Sequence, residues 1–152
     1  MKKWLLPILQ TVAVVGILLS YFATSWFGDE FVLRAEPFDP WDPFYGEYVL
    51  LQYPDINQAA KDSKIKDGET VYFSLTQGED GYAAVDRMET SDFLGALHGQ
   101  YWGGQVSVSN LEQFYVEQGQ GLALEEAVDL KATIYVSPWG TIRPMNLEKR
   151  DE

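Results

Sequence analysis

Between Trp4 and Phe27 the chain runs WLLPILQTVAVVGILLSYFATSWF without one charged side chain. At about 1.5 Å per residue, a helix of this length exceeds the roughly 30 Å hydrocarbon core of a bilayer. The run is therefore predicted to span a membrane as a slightly tilted helix, with the lipid bilayer as the partner of Trp4–Phe27. Trp4 at one end and Tyr21, Trp26 and Phe27 at the other match the preference of aromatic rings for the headgroup layer. Pro7 falls in the first turns, where its missing N–H costs least.

Orientation follows from the flanks. Lys2 and Lys3 precede the run and Asp29 and Glu30 follow it, so the N-terminus is expected in the cytoplasm and the rest outside the cell membrane. A cleaved signal peptide is the competing reading, with Ala23-Thr24-Ser25 supplying small residues. The anchor is preferred because the apolar run is longer than a typical signal core and its exit is aromatic. The expected organisation is a cytoplasmic N-terminus and anchor over 1–28, an extracytoplasmic domain over 29–147, and a charged, fraying tail over 148–152.

Composition narrows the chemistry. Cysteine is absent from the 152 residues, which excludes disulfides, thiolate nucleophiles and sulfur-built metal sites. His98 is the single histidine, too few for a multi-histidine metal centre, and it reads as a polar group at a strand start. Setting Lys2 and Lys3 apart from the 11 basic residues leaves nine against 23 acidic ones. No nucleic-acid partner is expected, since the basic footprint that neutralises phosphates is missing.

Past the anchor the pattern is that of strands. Phe31–Glu36 reads as a strand leaving the membrane, and the prolines at 37, 40 and 43 then impose an extended loop rich in aromatic residues. Glu47–Tyr53 resumes a strand whose Val49, Leu51 and Tyr53 face looks like core. Pro54–Asp67 is polar, with at most one helical turn around Gln58–Asp62. Val71, Phe73 and Leu75 alternate with polar residues, Gly78–Gly81 is a hairpin turn, and Tyr82–Met88 returns antiparallel. Leu97–Ser109 reads as one strand in which Gly103-Gly104 marks a bulge or a close backbone approach, and Glu112–Val116 continues the β pattern. Leu122–Lys131 is the one soluble helix expected, with Leu124, Ala127 and Val128 on one face. Ala132, Ile134 and Val136 then face inward, Ser137–Gly140 turns, and Thr141–Leu147 pairs back. The fold class is mainly β: an N-terminal transmembrane helix followed by a small antiparallel β-sandwich or partly open barrel with one short helix.

Gly46-Glu47-Tyr48-Val49-Leu50-Leu51-Gln52-Tyr53, preceded by Pro37-Phe-Asp-Pro40-Trp-Asp42, resembles the GDYXXLXY family, whose signature is Gly-Asp-Tyr-x-x-Leu-x-Tyr. The signature falls on Gly46, Glu47, Tyr48, Leu51 and Tyr53. A second block is similar over Leu111–Gly121, including Gly119 and Gly121, with Leu124-Glu125 after it. Glu47 replaces the signature aspartate, and Gln118 stands where the family commonly has Glu. The resemblance implies a membrane-anchored bacterial protein of uncharacterised function, often encoded beside polytopic membrane proteins. It implies a location and a polytopic membrane protein as partner rather than a reaction.

The residues themselves leave two function classes open. Trp41, Phe44 and Tyr45 would form an exposed aromatic ledge for a partner, held close to the bilayer by Phe31–Glu36. Against this stands an extracytoplasmic hydrolase or Ca²⁺-binding module. Asp39, Asp42 and Glu47 could offer oxygen ligands to Ca²⁺, but no Asp-x-Asp-x-Asp-Gly run occurs. Acid–base pairs could come from Glu112 with Glu117 or from Asp39 with Glu47. A Ser–Lys peptidase would need a Ser-x-x-Pro box past the anchor, where Ala35-Glu36-Pro37-Phe38 stands. Gly119-Gln120-Gly121 lacks the Lys of a phosphate loop and reads as a tight turn. The favoured reading is a non-enzymatic accessory module without a cofactor.

Overall fold

The structure is a computed structural model, described over residues 4–38, 48–116, 124, 127 and 129–150. The apolar run forms α1, Leu5–Phe27. It is long and apolar enough to cross a membrane, and its large apolar side chains, from Leu5 to Phe27, stand uncovered by the rest of the chain. Two of its hydroxyl groups bond within the helix: Thr11 Oγ1 donates to the Pro7 carbonyl at 2.9 Å and Ser20 Oγ to that of Ile17 at 2.8 Å. Internal satisfaction of this kind is what a helix in hydrocarbon requires.

Only Gly28, whose N–H bonds the Thr24 carbonyl at 2.9 Å, separates α1 from β1, Asp29–Pro37. The described strands that follow are β2 (Tyr48–Gln52), β3 (Thr70–Gln77), β4 (Ala83–Glu89), β5 (Leu97–Trp102), β6 (Gln105–Ser107), β7 (Gln113–Tyr115), β8 (Leu130–Val136) and β9 (Ile142–Lys149). They build two antiparallel sheets, one ordered β7-β2-β1-β8-β9 and the other β4-β3-β5-β6. The expected mainly β, antiparallel domain behind an N-terminal apolar helix is what forms.

One core serves both sheets. Leu33, Val49, Ile134 and Leu130 from the first meet Val71, Phe73 and Leu97 from the second, each at most 1% exposed. Strand alternation produces this directly: β2 buries Val49 and Leu51 and leaves Tyr48, Leu50 and Gln52 half-covered, and β5 buries every second residue from Leu97. A one-residue slip in either register would turn the apolar set to water.

Four expectations need correction. The polar stretch after Tyr53 holds a nine-residue helix, α2 (Pro54–Asp62), rather than a single turn. Pro54 starts it with a preset φ, Asp55 and Lys61 complement its dipole, and Ile56, Asn57 and Ala60 face the core. Leu97–Ser109 is a hairpin instead of one bulged strand. Gly103 and Gly104 have φ of 59° and 88°, the two positive angles of a tight two-residue hairpin, and Trp102 pairs with Gln105 across them. Leu122–Lys131 is not one helix: Leu124 is helical, but Leu130 and Lys131 already belong to β8, where Leu130 pairs with Ala35 and Lys149. Much of the rest of that segment, including Val128, lies outside the described residues. The charged tail also starts later than expected, because Glu148 and Lys149 complete β9 opposite Lys131 and Leu130.

Candidate functional site

The family-like blocks, far apart in sequence, are neighbours in space. Tyr48, Val49 and Leu50 of β2 pair with Tyr115, Phe114 and Gln113 of β7, and the Leu51 N–H donates to the Glu112 carbonyl at 2.9 Å. Leu51 is buried in the core. Tyr53, 3% exposed, sends its hydroxyl to the Leu111 carbonyl oxygen at 2.8 Å, and burial raises its pKa well above the ordinary tyrosine range. Tyr48 is half-buried and meets Tyr115 edge-on with centroids 6.3 Å apart. The expected placement of Tyr48 and Tyr53 on opposite faces holds, and their work here is packing and closure of the sheet edge.

Gly46, Glu47, Gly119 and Gly121 lie outside the described residues, as do Asp39, Trp41, Asp42, Phe44, Tyr45 and Glu117. What the fold does place is the pair of ends between which residues 39–47 run. The last residue of β1, Pro37, pairs with Leu51, so the segment leaves the far end of β1 from α1. At about 3.3 Å per residue, β1 extends roughly 26 Å from the helix exit. The segment is therefore attached at the end of β1 opposite the helix.

Beside this edge runs a polar seam that joins the two sheets. Gln105 Nε2 donates to Gln52 Oε1 at 3.0 Å, and Gln52 Nε2 donates to Glu36 Oε2 at 3.2 Å. Asn57 on α2, 8% exposed, accepts the Val106 N–H through Oδ1 at 2.8 Å. The sequence signal for Asn57 is its place beside Ile56 on the face that also carries Ala60, a spacing hidden by the polar residues around it.

An open groove of about 560 Å³ lies between α2, β1 and the β3–β4 turn. Arg34 crosses it, bonding Asp55 Oδ2 at 2.9 Å and pairing also with Asp80, with its guanidinium 4.6 Å from the Tyr82 ring centroid. The Tyr82 backbone N–H, and then Arg34, hold the Asp80 carboxyl below the usual carboxylate range. Asp62 and Glu79 complete an acidic rim. These ion pairs are about one-third exposed or more, so solvent screens them and they orient the turn more than they stabilise it. Nothing in the sequence pairs a residue of β1 with a turn 46 positions later, and the reading missed it.

Of the acid–base candidates, only Glu112 is described, and it is exposed. His98 sits exposed on β5, beside Tyr72 and Trp139 in a second shallow groove. Among the described residues no three of His, Cys, Asp or Glu come together in a way that could hold a metal ion. Asp39, Asp42 and Glu47 are not among them.

At the other end of the domain α1 is held against the first sheet. Arg143 of β9 donates to the Tyr21 hydroxyl at 3.1 Å and lies 4.3 Å over its ring. The Tyr135 hydroxyl donates to Glu30 Oε2 at 2.9 Å, which raises the pKa of Tyr135.

An uncovered apolar helix, long enough to cross a membrane, joined by one residue to a two-sheet antiparallel domain whose edge is closed by the paired β2 and β7 blocks, defines the class: a mainly β domain behind an N-terminal apolar helix. The family model described as GDYXXLXY protein matches residues 10–147, and the chain belongs to that family. No curated protein matches the chain, and neither does any solved structure.

Proposed function

We propose that this chain is a single-pass membrane protein with Lys2 and Lys3 on the cytoplasmic side and the β domain outside, and that the domain is a non-enzymatic accessory module for a partner membrane protein. The observation that carries this reading is the junction at Gly28. A helix with no protein covering its apolar sides passes in one residue into a central strand of the domain. Such a surface is stable only in lipid, and the charge asymmetry across it sets the orientation.

Residues 39–47 are the partner-binding segment in this reading. They carry Trp41, Phe44 and Tyr45, and large aromatic side chains dominate the energetics of interfaces. Their attachment at the strand end away from α1 fits a partner whose extracytoplasmic part rises above the bilayer. The test is co-purification from detergent extracts of wild-type chain and of the Trp41→Ala/Tyr45→Ala double variant. The expected outcome is a membrane protein retained by the wild type and lost by the variant, with the thermal transition unchanged. Loss of the transition in the variant would place the rings in the core, and equal retention would remove the segment from the interface. A rise in melting temperature with millimolar Ca²⁺ would favour the ion-binding alternative.

A further inference from the structure

The hairpin that closes the first sheet ends where α1 begins. Val136, the last residue of β8, pairs with Asp29, the first of β1, and the turn Ser137–Gly140 follows at once. On the returning strand Arg143 reaches Tyr21, six residues inside α1 from Phe27, a level about 9 Å from the helix end. The Ser137–Gly140 turn therefore stands beside the aromatic end of the helix, where Tyr21, Trp26 and Phe27 are exposed.

A second loop is locked to this turn. A Cβ on Gly95 would lie 2.8 Å from the Pro138 carbonyl oxygen, and one on Gly140 would collide with the Ala96 carbonyl oxygen. Both glycines have φ of 79°, so the two backbones interlock at positions where a side chain has neither room nor an easy conformation. Each turn is also closed on itself: the Ala96 N–H bonds the Phe93 carbonyl and the Gly140 N–H bonds the Ser137 carbonyl, both at 3.0 Å. Arg87 covers the Phe93 ring at 4.3 Å. What this paired scaffold leaves outside is Leu94, 97% exposed, and Trp139, 52% exposed.

A single exposed leucine on a soluble domain needs no explanation. Here it tips a turn fixed to another that carries an indole, at the end of the domain from which the apolar helix departs. We infer that Leu94 and Trp139 form a second membrane contact, inserting into the headgroup and upper acyl region of the leaflet that α1 exits. An indole prefers that layer and an aliphatic side chain gains by leaving water there. The surrounding charges are Asp29, Glu30, Asp92, Arg143 and the paired Arg87 and Glu89, which among the described residues make no basic cluster, so insertion is driven by apolar surface and requires no anionic lipid. The domain is thereby seated on the bilayer instead of swinging about Gly28. The inference rests on the anchored reading above.

The chain has no cysteine, so single cysteines can report position. Full-length Leu94→Cys, Val14→Cys and Glu79→Cys would each carry an environment-sensitive nitrobenzoxadiazole dye and be reconstituted in phosphatidylcholine vesicles holding nitroxide lipids labelled both near the headgroup and along the acyl chain. The expected result is quenching at Val14 and Leu94 severalfold stronger than at Glu79, which lies in the β3–β4 turn. Quenching at Val14, with Leu94 as unquenched as Glu79, would overturn the second contact while leaving the anchor in place. No quenching at either Val14 or Leu94 would overturn the anchored reading itself. A dye at Leu94 shielded from water but insensitive to the nitroxide would also overturn the inference, because it would mark contact with protein rather than lipid.

Discussion

The Tyr53 hydroxyl donates to the backbone carbonyl oxygen of Leu111 at 2.8 Å in the buried core, joining the residue after β2 to the second residue before β7 across 58 positions of sequence. This bond ties the family signature to its second block, and it explains in physical terms why an aromatic residue with a hydroxyl follows that strand. Phenylalanine would fill the same space but leave the carbonyl oxygen without its donor.

Tyr53→Phe is accordingly expected to destabilise the domain by about 1–3 kcal/mol, the cost of an unsatisfied buried acceptor. Urea unfolding of the full-length protein in detergent micelles, followed by far-ultraviolet circular dichroism, measures it. A midpoint equal to wild type would mean that water or another donor replaces the hydroxyl.

The same residue makes stability depend on alkaline pH. Burial raises the Tyr53 pKa in the folded protein above the unfolded value of about 10. The folded state therefore keeps a proton that the unfolded state loses. Its contribution is fully present below about pH 10 and declines as pH rises from there toward the raised folded pKa. Unfolding midpoints measured from pH 9 to pH 11 should fall more steeply for wild type than for Tyr53→Phe. Parallel curves would show that Tyr53 does not carry the dependence.

Asn57→Ala removes the acceptor of the buried Val106 N–H. The expected loss is about 1–3 kcal/mol, and amide exchange at Val106 and Tyr101, on the paired strands β6 and β5, should quicken relative to β1. Unchanged exchange at Val106 would mean that α2 does not staple this hairpin.

Alternation made the strands legible. Val49, Leu51 and Tyr53, or Val71 and Phe73, announce a buried face without any structure because a period of two has no other reading at that length. α2 was hidden because its inward face carries one large apolar residue, Ile56, beside Asn57 and Ala60, so the segment looked like a polar loop. Gly103-Gly104 was read as a bulge, since flanking strand residues on both sides do not by themselves distinguish an interrupted strand from a two-residue turn. The pairing of β1 with β8, Asp29 against Val136, and the bridge from Arg34 to Asp55 and Asp80 join distant positions. Local pattern carries no information about such meetings. Leu51 and Tyr53 are buried as the alternation implies, whereas the Arg34 groove and the Arg143–Tyr21 contact emerge only from the fold.

The central proposal is that α1 crosses the cytoplasmic membrane and the domain lies outside it. A single cysteine at Ser109, an exposed position after β6, tests it in the otherwise cysteine-free chain. Cells with the outer envelope opened and the cytoplasmic membrane intact are treated with a membrane-impermeant maleimide before and after lysis. The account predicts that Ser109→Cys labels as fully before lysis as after it; labelling that appears only after lysis would place the domain in the cytoplasm and contradict the account.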